Sequence, residues 1–337
     1  MRSDGQYVLR VEALTIRLAT GAGPVTIVDN ISFAVERQRT LCIVGESGCG
    51  KTLTARAIMR LLDPPLHIDA AARIMLDGRD LMTLDDTAMR RVRGAEVAMI
   101  FQEPMSFLNP VYTVGDQVAE PLVTHAGLAR RVAKARAEDL FRLVGIPAPA
   151  RRMRQYPHEL SGGMQQRTMI TMALGCEPKL LIADEPTTAL DVTIQAQILD
   201  LLRAMQQRFG MAMLLITHDL GVVAEMATDI AVMYAGKIVE MGPAAEVLTT
   251  PRHPYTAALL RAIPRLGMRR DQKLEVIRGI VPSPHEYGKG CRFAPRCDMA
   301  FAACTVAPPL TGDRHRAACW LHASPVRTAE PFGRPAS

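Results

Sequence analysis

The sequence is short of long apolar runs and of aromatic side chains. Its longest uninterrupted apolar stretches, such as 211–216, fall well below the ~20 residues that a membrane-spanning helix needs. Aromatic residues make up only 4% of the 337 residues, which argues against a stacking platform for single-stranded nucleic acid. The N-terminal residues lack the apolar core of a signal peptide. These absences predict a soluble, cytosolic chain without a stacking platform for single-stranded nucleic acid.

Charge and composition change towards the C-terminus. The formal net charge is +6, and residues 251–337 hold 14 Lys and Arg against 6 Asp and Glu. The same stretch holds 11 of the 23 prolines and 4 of the 7 cysteines. Such a shift predicts a boundary near Pro251 between a globular body, 1–250, and a loop-rich extension, 251–337.

Short apolar runs alternate with helical patterns along the body. Runs at 41–44, 180–183 and 213–216 have the character of strands buried in a parallel sheet, and 8–11 and 26–28 are β-type. A helix is expected over 52–62, before Pro64 and Pro65. Residues 105–175 are mostly helical in pattern. The alternation predicts an α/β core with a helical subdomain at about 105–175.

A glycine-rich loop directly follows the strand at 41–44. It consists of Gly45, Glu46, Ser47, Gly48, Cys49, Gly50, Lys51 and Thr52. Glycines let successive backbone N–H groups surround phosphate oxygens, and the helix that follows adds the positive end of its dipole. Lys51 is expected to reach the β- and γ-phosphates and Thr52 to ligate Mg²⁺. The alternative is a glycine turn with an incidental lysine.

Two further segments suit phosphate chemistry. Asp184 and Glu185 end the strand at 180–183; such a pair can hold Mg²⁺ through water and polarise an attacking water. Ser161, Gly162, Gly163 and Met164 precede an apolar helix that runs to 174, which leaves a helix N-terminus open to an anion. A second phosphate site so far from the first along the chain suggests a site shared between two subunits. An ordinary capped helix is the alternative.

Taken in order, these motifs resemble those of ATP-binding cassette (ABC) ATPases. The set comprises Walker A at 45–52, Gln102 in a Q-loop, the signature at 160–164, Walker B at 180–185, a D-loop at 189–191 and His218 as switch histidine. The resemblance implies a P-loop NTPase core with an antiparallel β subdomain and a helical subdomain. It also implies that two subunits enclose each ATP between Walker motifs of one and the signature of the other.

The resemblance also implies roles for single residues. Glu185 corresponds to the catalytic base and His218 to the γ-phosphate sensor, while Gln102 would contact Mg²⁺ and the attacking water. The signature residues Ser161, Gly162, Gly163 and Met164, together with Asp191, would act on the partner's nucleotide. Two positions depart from the family pattern. Cys49 replaces the usual serine, and Leu18 stands where an adenine-stacking aromatic is expected.

Longer strings narrow the resemblance to one branch. Residues 101–110, 156–164, 183–193 and 253–260 closely resemble the dipeptide/oligopeptide (and nickel) importer ATPases, in which methionine after the signature glycines is normal. This branch implies a bacterial importer with two membrane permeases, a second, different ATPase subunit and an extracytoplasmic solute-binding protein. The chain would lie peripherally on the cytoplasmic face of the inner membrane. Segments 102–109 and 154–159 are expected to receive a permease helix.

The alternative function is a soluble ABC ATPase that acts on ribosomes or nucleic acid. Such proteins tend to carry two fused cassettes or a long coiled-coil insertion. This sequence has one set of cassette motifs, and no heptad run interrupts it.

Four cysteines lie close together in the extension: Cys291, Cys297, Cys304 and Cys319. Disulfides are disfavoured in the cytosol, and the spacing lacks the CxxC pairs usual for structural zinc. Four thiolates can hold a 4Fe–4S cluster, and 290–297 resembles the extension of the peptide-importer ATPases, where a four-cysteine cluster pattern occurs. A zinc site and small buried core cysteines are the alternatives. Because a cluster at these cysteines would lie far from His218 along the chain, we expect it to have a structural or docking role and not to take part in ATP chemistry.

Overall fold

The computed structural model describes residues 4–102, 107–188, 190–262 and 277–323. Contacts divide these residues into two compact units that alternate along the chain. The first takes in residues up to Arg10, Ala34–Thr40 and Ile74–Ile216. The second takes in Val11–Phe33, Leu41–Arg73 and the described residues from Thr217 onward. The predicted domains 1–250 and 251–337 stay a prediction.

The strands and helices of the described residues follow in chain order. The strands are β1 Tyr7–Leu18, β2 Val25–Glu36, β3 Thr40–Val44, β4 Leu66–Ile68, β5 Arg73–Leu76, β6 Arg79–Asp80, β7 Val97–Ile100, β8 Leu180–Asp184, β9 Ala212–Thr217, β10 Asp229–Tyr234, β11 Lys237–Pro243 and β12 Arg316–Ala317. The helices are α1 Lys51–Ile58, α2 Asp86–Val92, α3 Val114–Thr124, α4 Arg130–Leu143, α5 Pro149–Arg152, α6 Gly162–Leu174, α7 Val192–Phe209, α8 Leu220–Met226, α9 Ala244–Thr249 and α10 Pro254–Arg261.

Parallel strands form the centre of the first unit. β7 pairs with β8 from Val97↔Leu180 onward, and β8 pairs with β9 as far as Asp184↔Ile216. Every residue of these three strands is buried. Burial on both faces explains why the sequence shows unbroken apolar runs here instead of alternation. The strands predicted at 180–183 and 213–216 are both observed, each slightly longer than predicted.

Helices occupy most of the described residues between 107 and 175. α3, α4 and α6 pack against one another, and α6 also contacts β7. α4 buries Ala133, Ala137, Leu140 and Phe141, which recur at the spacing of one helix face. Thr113 caps α3, because its hydroxyl accepts a hydrogen bond from the Asp116 N–H. The helical pattern expected in this region is therefore observed where the structure describes it.

The second unit contains the strand that leads into the glycine-rich loop. β3 pairs in parallel with β10, with Leu41 opposite Asp229 and Val44 opposite Val232. β10 then pairs antiparallel with β11. β11 pairs with β12, a short strand from the C-terminal part of the chain. The extension thus contributes a strand to the sheet that carries the loop.

Two element lengths differ from the sequence predictions. The helix expected over 52–62 is α1, Lys51–Ile58, because Arg60 takes a left-handed conformation with φ 51° that stops the helix. The β-type run at 8–11 is part of a longer strand, Tyr7–Leu18. Among the described residues, no helix is both long enough and apolar enough to cross a membrane.

Candidate active site

The predicted strand, loop and helix around 45–52, called the P-loop below, are present in the second unit. β3 ends at Val44 and α1 begins at Lys51. A Cβ on Gly45 would lie 2.1 Å from the carbonyl oxygen of Met233, so no side chain fits there. Gly50 precedes α1 with φ 103°, a conformation that glycine adopts without strain. These glycines let the backbone follow the tight path that a phosphate-binding loop requires.

Lys51 is held at the base of the P-loop. Its side chain is only 5% exposed, and its Nζ donates hydrogen bonds to the carbonyl oxygens of Gly45 at 2.8 Å and Glu46 at 3.1 Å. Ser47 and Gly48 form the exposed part of the loop, and Thr52 is half-buried on α1. Because a phosphate oxygen is charged, it is a stronger acceptor for this ammonium group than a carbonyl.

Cys49 lies inside the P-loop with its thiol fully buried. Burial raises the pKa of this thiol above its usual value, so the side chain stays protonated and uncharged at neutral pH. Cys49 therefore adds no charge to the P-loop.

The first unit brings two predicted catalytic residues together. The Nε2 of Gln102 donates a 3.0 Å hydrogen bond to Oε2 of Glu185, and the Thr188 hydroxyl donates to the same oxygen at 2.9 Å. Glu185 follows β8 with φ 48°, a left-handed conformation that costs a non-glycine residue about 1 kcal/mol. Its N–H is bonded to the carbonyl of Ile216 at 2.8 Å. The carboxylate is thus positioned by its surroundings.

The other predicted Walker and switch residues lie at strand ends. Asp184 is the last residue of β8 and is 2% exposed. His218 follows β9 and is exposed, in the second unit. Asp219 caps α8 by accepting a hydrogen bond from the N–H of Gly221 at 2.8 Å. Leu18, at the position expected for an adenine-stacking aromatic, ends β1 and is half-buried.

The signature residues form the start of α6 in the first unit. Ser161 is the N-cap, its side chain makes no capping hydrogen bond, and it is exposed with Gly162. Met164 is half-buried. A Cβ on Gly163 would approach Ile194 to 3.2 Å, so the signature lies beside α7. Asp191 caps α7 by accepting from the Ile194 N–H at 2.9 Å. The D-loop residue 189 lies outside the described residues.

Three residues that contact these sites were not predicted as site residues from the sequence. Thr188 supports Glu185, as described above. At the P-loop, Arg296 forms an ion pair with the Glu46 carboxylate at 2.9 Å, and the Tyr255 hydroxyl accepts a 2.9 Å hydrogen bond from the Glu46 N–H. For Thr188, its place three residues after Glu185 could have been a signal. No spacing pattern connects Glu46 with Tyr255 or Arg296, so the sequence held no signal for them.

The four cysteines of the extension line one small pocket with a cavity volume of about 10 Å³, together with aromatic side chains that include Phe293. Burial raises the pKa of Cys297 and of Cys319 to about 11, so these groups are thiols at neutral pH. In the part of the chain that the structure describes, no three His, Cys, Asp or Glu side chains are arranged to hold a metal ion. The structure gathers the four cysteines without showing a metal site.

Two family profiles match the chain. The profile of the ABC transporter family matches residues 28–188. The profile of the oligopeptide/dipeptide transporter C-terminal region matches residues 239–304. A Brucella abortus protein, provisionally described as a peptide import ATP-binding protein, is 51% identical over 327 residues, which cover 93% of this chain and 97% of that protein. The chain belongs to the ABC transporter family, in its oligopeptide/dipeptide branch.

Other comparisons agree with this assignment. The dipeptide transport ATP-binding protein DppD of Bacillus subtilis is 46% identical over 319 residues, or 94% of this chain and 95% of DppD. The solved structure of cbiO1 from Clostridium perfringens, part of an ABC transporter complex, superposes with a TM-score of 0.62 at 26% identity, covering 73% of this chain and 92% of cbiO1. The predicted fold class is confirmed. As an ABC ATPase, the chain is an ATP-hydrolysing enzyme.

Proposed function

We propose that this chain hydrolyses ATP to drive peptide import through a bacterial ABC transporter. The observation that carries the proposal is that similarity to peptide and dipeptide transport proteins extends over more than nine-tenths of the chain and includes the C-terminal region typical of such transporters. The chain acts beside a second, different ATPase subunit, on two permeases served by a solute-binding protein. It lies on the cytoplasmic face of the inner membrane and binds no nucleic acid.

Nucleotide is bound by the P-loop, residues 45–52. Its backbone N–H groups surround the phosphates, and Lys51 neutralises the β- and γ-phosphates. Thr52, Gln102 and Asp184 offer hydroxyl, amide and carboxylate oxygens, the ligand types that Mg²⁺ prefers. When bound, Mg²⁺ neutralises negative charge on the transferred phosphate.

Glu185 takes the proton from the attacking water. Its carboxylate is oriented by the hydrogen bonds from Gln102 and Thr188, so the base need not reorganise during the reaction. His218, on the exposed turn after β9, contacts the γ-phosphate.

The signature acts on the nucleotide of the second ATPase subunit. Ser161 and Gly162 are exposed, and a Cβ on Gly162 would meet no atom within 4 Å. This open helix start, with Gly163, Met164 and Asp191, is suited to contact a phosphate held by another chain.

Apolar side chains near the Q-loop form the permease contact. Phe107, Val111, Tyr112 and Tyr156 are all large and exposed; residues 103–106 of the predicted groove lie outside the described residues. Single cysteines placed at 107 and 156 should crosslink to a permease in the assembled complex. Pull-down from detergent-solubilised membranes should recover permeases. Recovery of ribosomes or DNA instead would favour the alternative function.

The chemistry is tested by exchanging the base. Glu185→Gln should keep ATP binding while turnover in the reconstituted complex falls by at least about 10²-fold, the scale for loss of a positioned base. Lys51→Ala should weaken ATP binding itself. Turnover of Glu185→Gln near that of the wild type, with the second ATPase subunit inactivated, would contradict the role assigned to Glu185.

We also propose that Cys291, Cys297, Cys304 and Cys319 hold a 4Fe–4S cluster. Their sharing of one pocket supports this, because such clusters are held by four thiolates. Anaerobically purified protein should be brown and contain about four iron and four sulfide per chain. Colourless protein with one bound zinc would indicate a structural zinc site. Folded protein with neither metal and four alkylated thiols would refute both metal sites.

A further inference from the structure

A short segment of the extension contacts the P-loop directly. Residues 292–296, here called the arginine brace, lie between Cys291 and Cys297. Arg296 reaches the Glu46 carboxylate with Nη1, at 2.9 and 3.2 Å from its two oxygens. The Arg296 side chain is 7% exposed, and its Nε donates to the carbonyl of Arg278 at 2.8 Å. The arginine end of the ion pair is therefore buried and held in place, while the Glu46 side chain is 26% exposed.

The brace contacts a second point beside the same loop. Arg292 donates from Nη1 to the carbonyl of Ala235 at 2.6 Å and forms an ion pair with Asp29. The neighbouring Gly236 N–H donates to the carbonyl of Cys49 at 3.1 Å. The two arginines therefore hold the P-loop from its Glu46 end and from the turn that supports Cys49.

The centre of the brace is fixed by packing. Phe293 is buried, and its ring lies 5.2 Å from the ring of Tyr234, 5.3 Å from Tyr255 and 5.8 Å from His253, between centroids. Tyr255 also accepts the hydrogen bond from the Glu46 N–H. The aromatic cluster thus connects the brace to the backbone of Glu46, and Arg296 connects it to the side chain of the same residue.

Glu46 gives this contact an electrostatic consequence. A carboxylate in a loop that binds phosphates repels the nucleotide unless a cation neutralises it. Arg296 is the cation that faces it here. Loss of the guanidinium would leave the carboxylate unpaired and partly buried, a costly arrangement.

We propose that the arginine brace positions the P-loop and neutralises Glu46, so that nucleotide affinity depends on the C-terminal extension. Arg296 and Arg292 are positioning residues that act through Glu46 and the turn at Ala235 and Gly236. The inference rests on the proposed role of the P-loop in ATP binding. Because Cys291 and Cys297 border the brace, a change in the cysteine pocket that displaces residues 292–296 would alter the ATP site.

The test is calorimetric titration of the full-length chain with ADP and with a non-hydrolysable ATP analogue. Arg296→Gln should raise the Kd for both nucleotides about tenfold, equivalent to about 1.4 kcal/mol, with binding stoichiometry unchanged. Adding Glu46→Gln to Arg296→Gln should recover most of the affinity, since the unpaired charge is then removed. Arg296→Lys should lie between the wild type and Arg296→Gln. Arg314→Gln, which removes an exposed arginine of the same extension, is the matched control and should bind as the wild type does.

Several results would overturn the inference. A Kd for Arg296→Gln within twofold of the wild type, while Lys51→Ala binds weakly, would refute the brace but leave the ATP site intact. A double variant that binds no better than Arg296→Gln would refute the neutralisation of Glu46. A fall in stoichiometry at unchanged Kd would show that Arg296 only maintains the fold. Wild-type binding by Lys51→Ala would refute the proposed ATP site and, with it, the brace.

Discussion

Replacement of Thr188 by valine isolates one contact of the proposed catalytic base. The Thr188 hydroxyl donates a 2.9 Å hydrogen bond to Oε2 of Glu185, the oxygen that Gln102 contacts at 3.0 Å. Valine keeps the branched shape of threonine and removes the donor. A hydrogen bond to a charged group contributes about 1.5–3 kcal/mol. Because the Gln102 bond remains and still orients the carboxylate, we expect about half of this free energy to be lost.

A loss of about 1.4 kcal/mol from transition-state stabilisation corresponds to about a tenfold fall in turnover. The assay is steady-state ATP hydrolysis by the reconstituted complex, with ATP affinity measured in parallel. Affinity should be unchanged, because the lost contact touches the base and not the P-loop. Thr250→Val, which removes an exposed hydroxyl bonded only locally to the Glu246 carbonyl, should leave turnover unchanged. Turnover of Thr188→Val within twofold of the wild type would refute this account of how Glu185 is oriented.

Two further predictions concern other parts of the molecule. Hydrogen bonds from Lys134 and Thr113 lower the pKa of Asp116 to about 2, so the stabilisation by its carboxylate is present above pH 4 and lost as the pH falls towards 2. Asp116→Asn should therefore lower the free energy of unfolding, measured by urea unfolding, by about 1 kcal/mol at pH 7, after allowance for solvent screening, and by little near pH 2. The control is Asp200→Asn, which removes one partner of an exposed ion pair. An equal loss of stability at both pH values for Asp116→Asn would contradict the lowered pKa. Gly45→Ala should weaken ADP binding by at least about tenfold, because its Cβ would clash with the Met233 carbonyl; unchanged affinity in a titration would show that the loop can move away.

Local patterns in the sequence were sufficient to predict many of the strands and helices of the fold. The strand, glycine loop and helix at 41–58 follow from an unbroken apolar run and from a loop that only glycine-rich backbone can form. Boundaries were less accurate: α1 ends at Ile58 because Arg60 takes a left-handed conformation, which no residue type there requires. β1 runs on to Leu18, where the apolar alternation is weak.

At the site, too, single residues could be predicted from local motifs, but contacts between residues far apart along the chain could not. Gln102 and Glu185 were both predicted, but their contact across 83 residues became visible only in the structure. The pairing of Arg296 with Glu46 joins residues 250 positions apart. Spacing and periodicity report on neighbours along the chain, so a contact of this range depends on how the strands pair. A resemblance can supply such contacts only where the family motif already contains them.

The most direct test of peptide import is uptake into proteoliposomes. The vesicles would contain the permeases, both ATPase subunits and internal ATP, with the solute-binding protein and a labelled dipeptide outside. Uptake should depend on ATP and should fall to background when Lys51→Ala replaces the wild-type chain, because the nucleotide is then bound weakly. ATP-dependent uptake that continues undiminished with Lys51→Ala, or an assembled complex that hydrolyses ATP but transports no peptide, would contradict the proposed function.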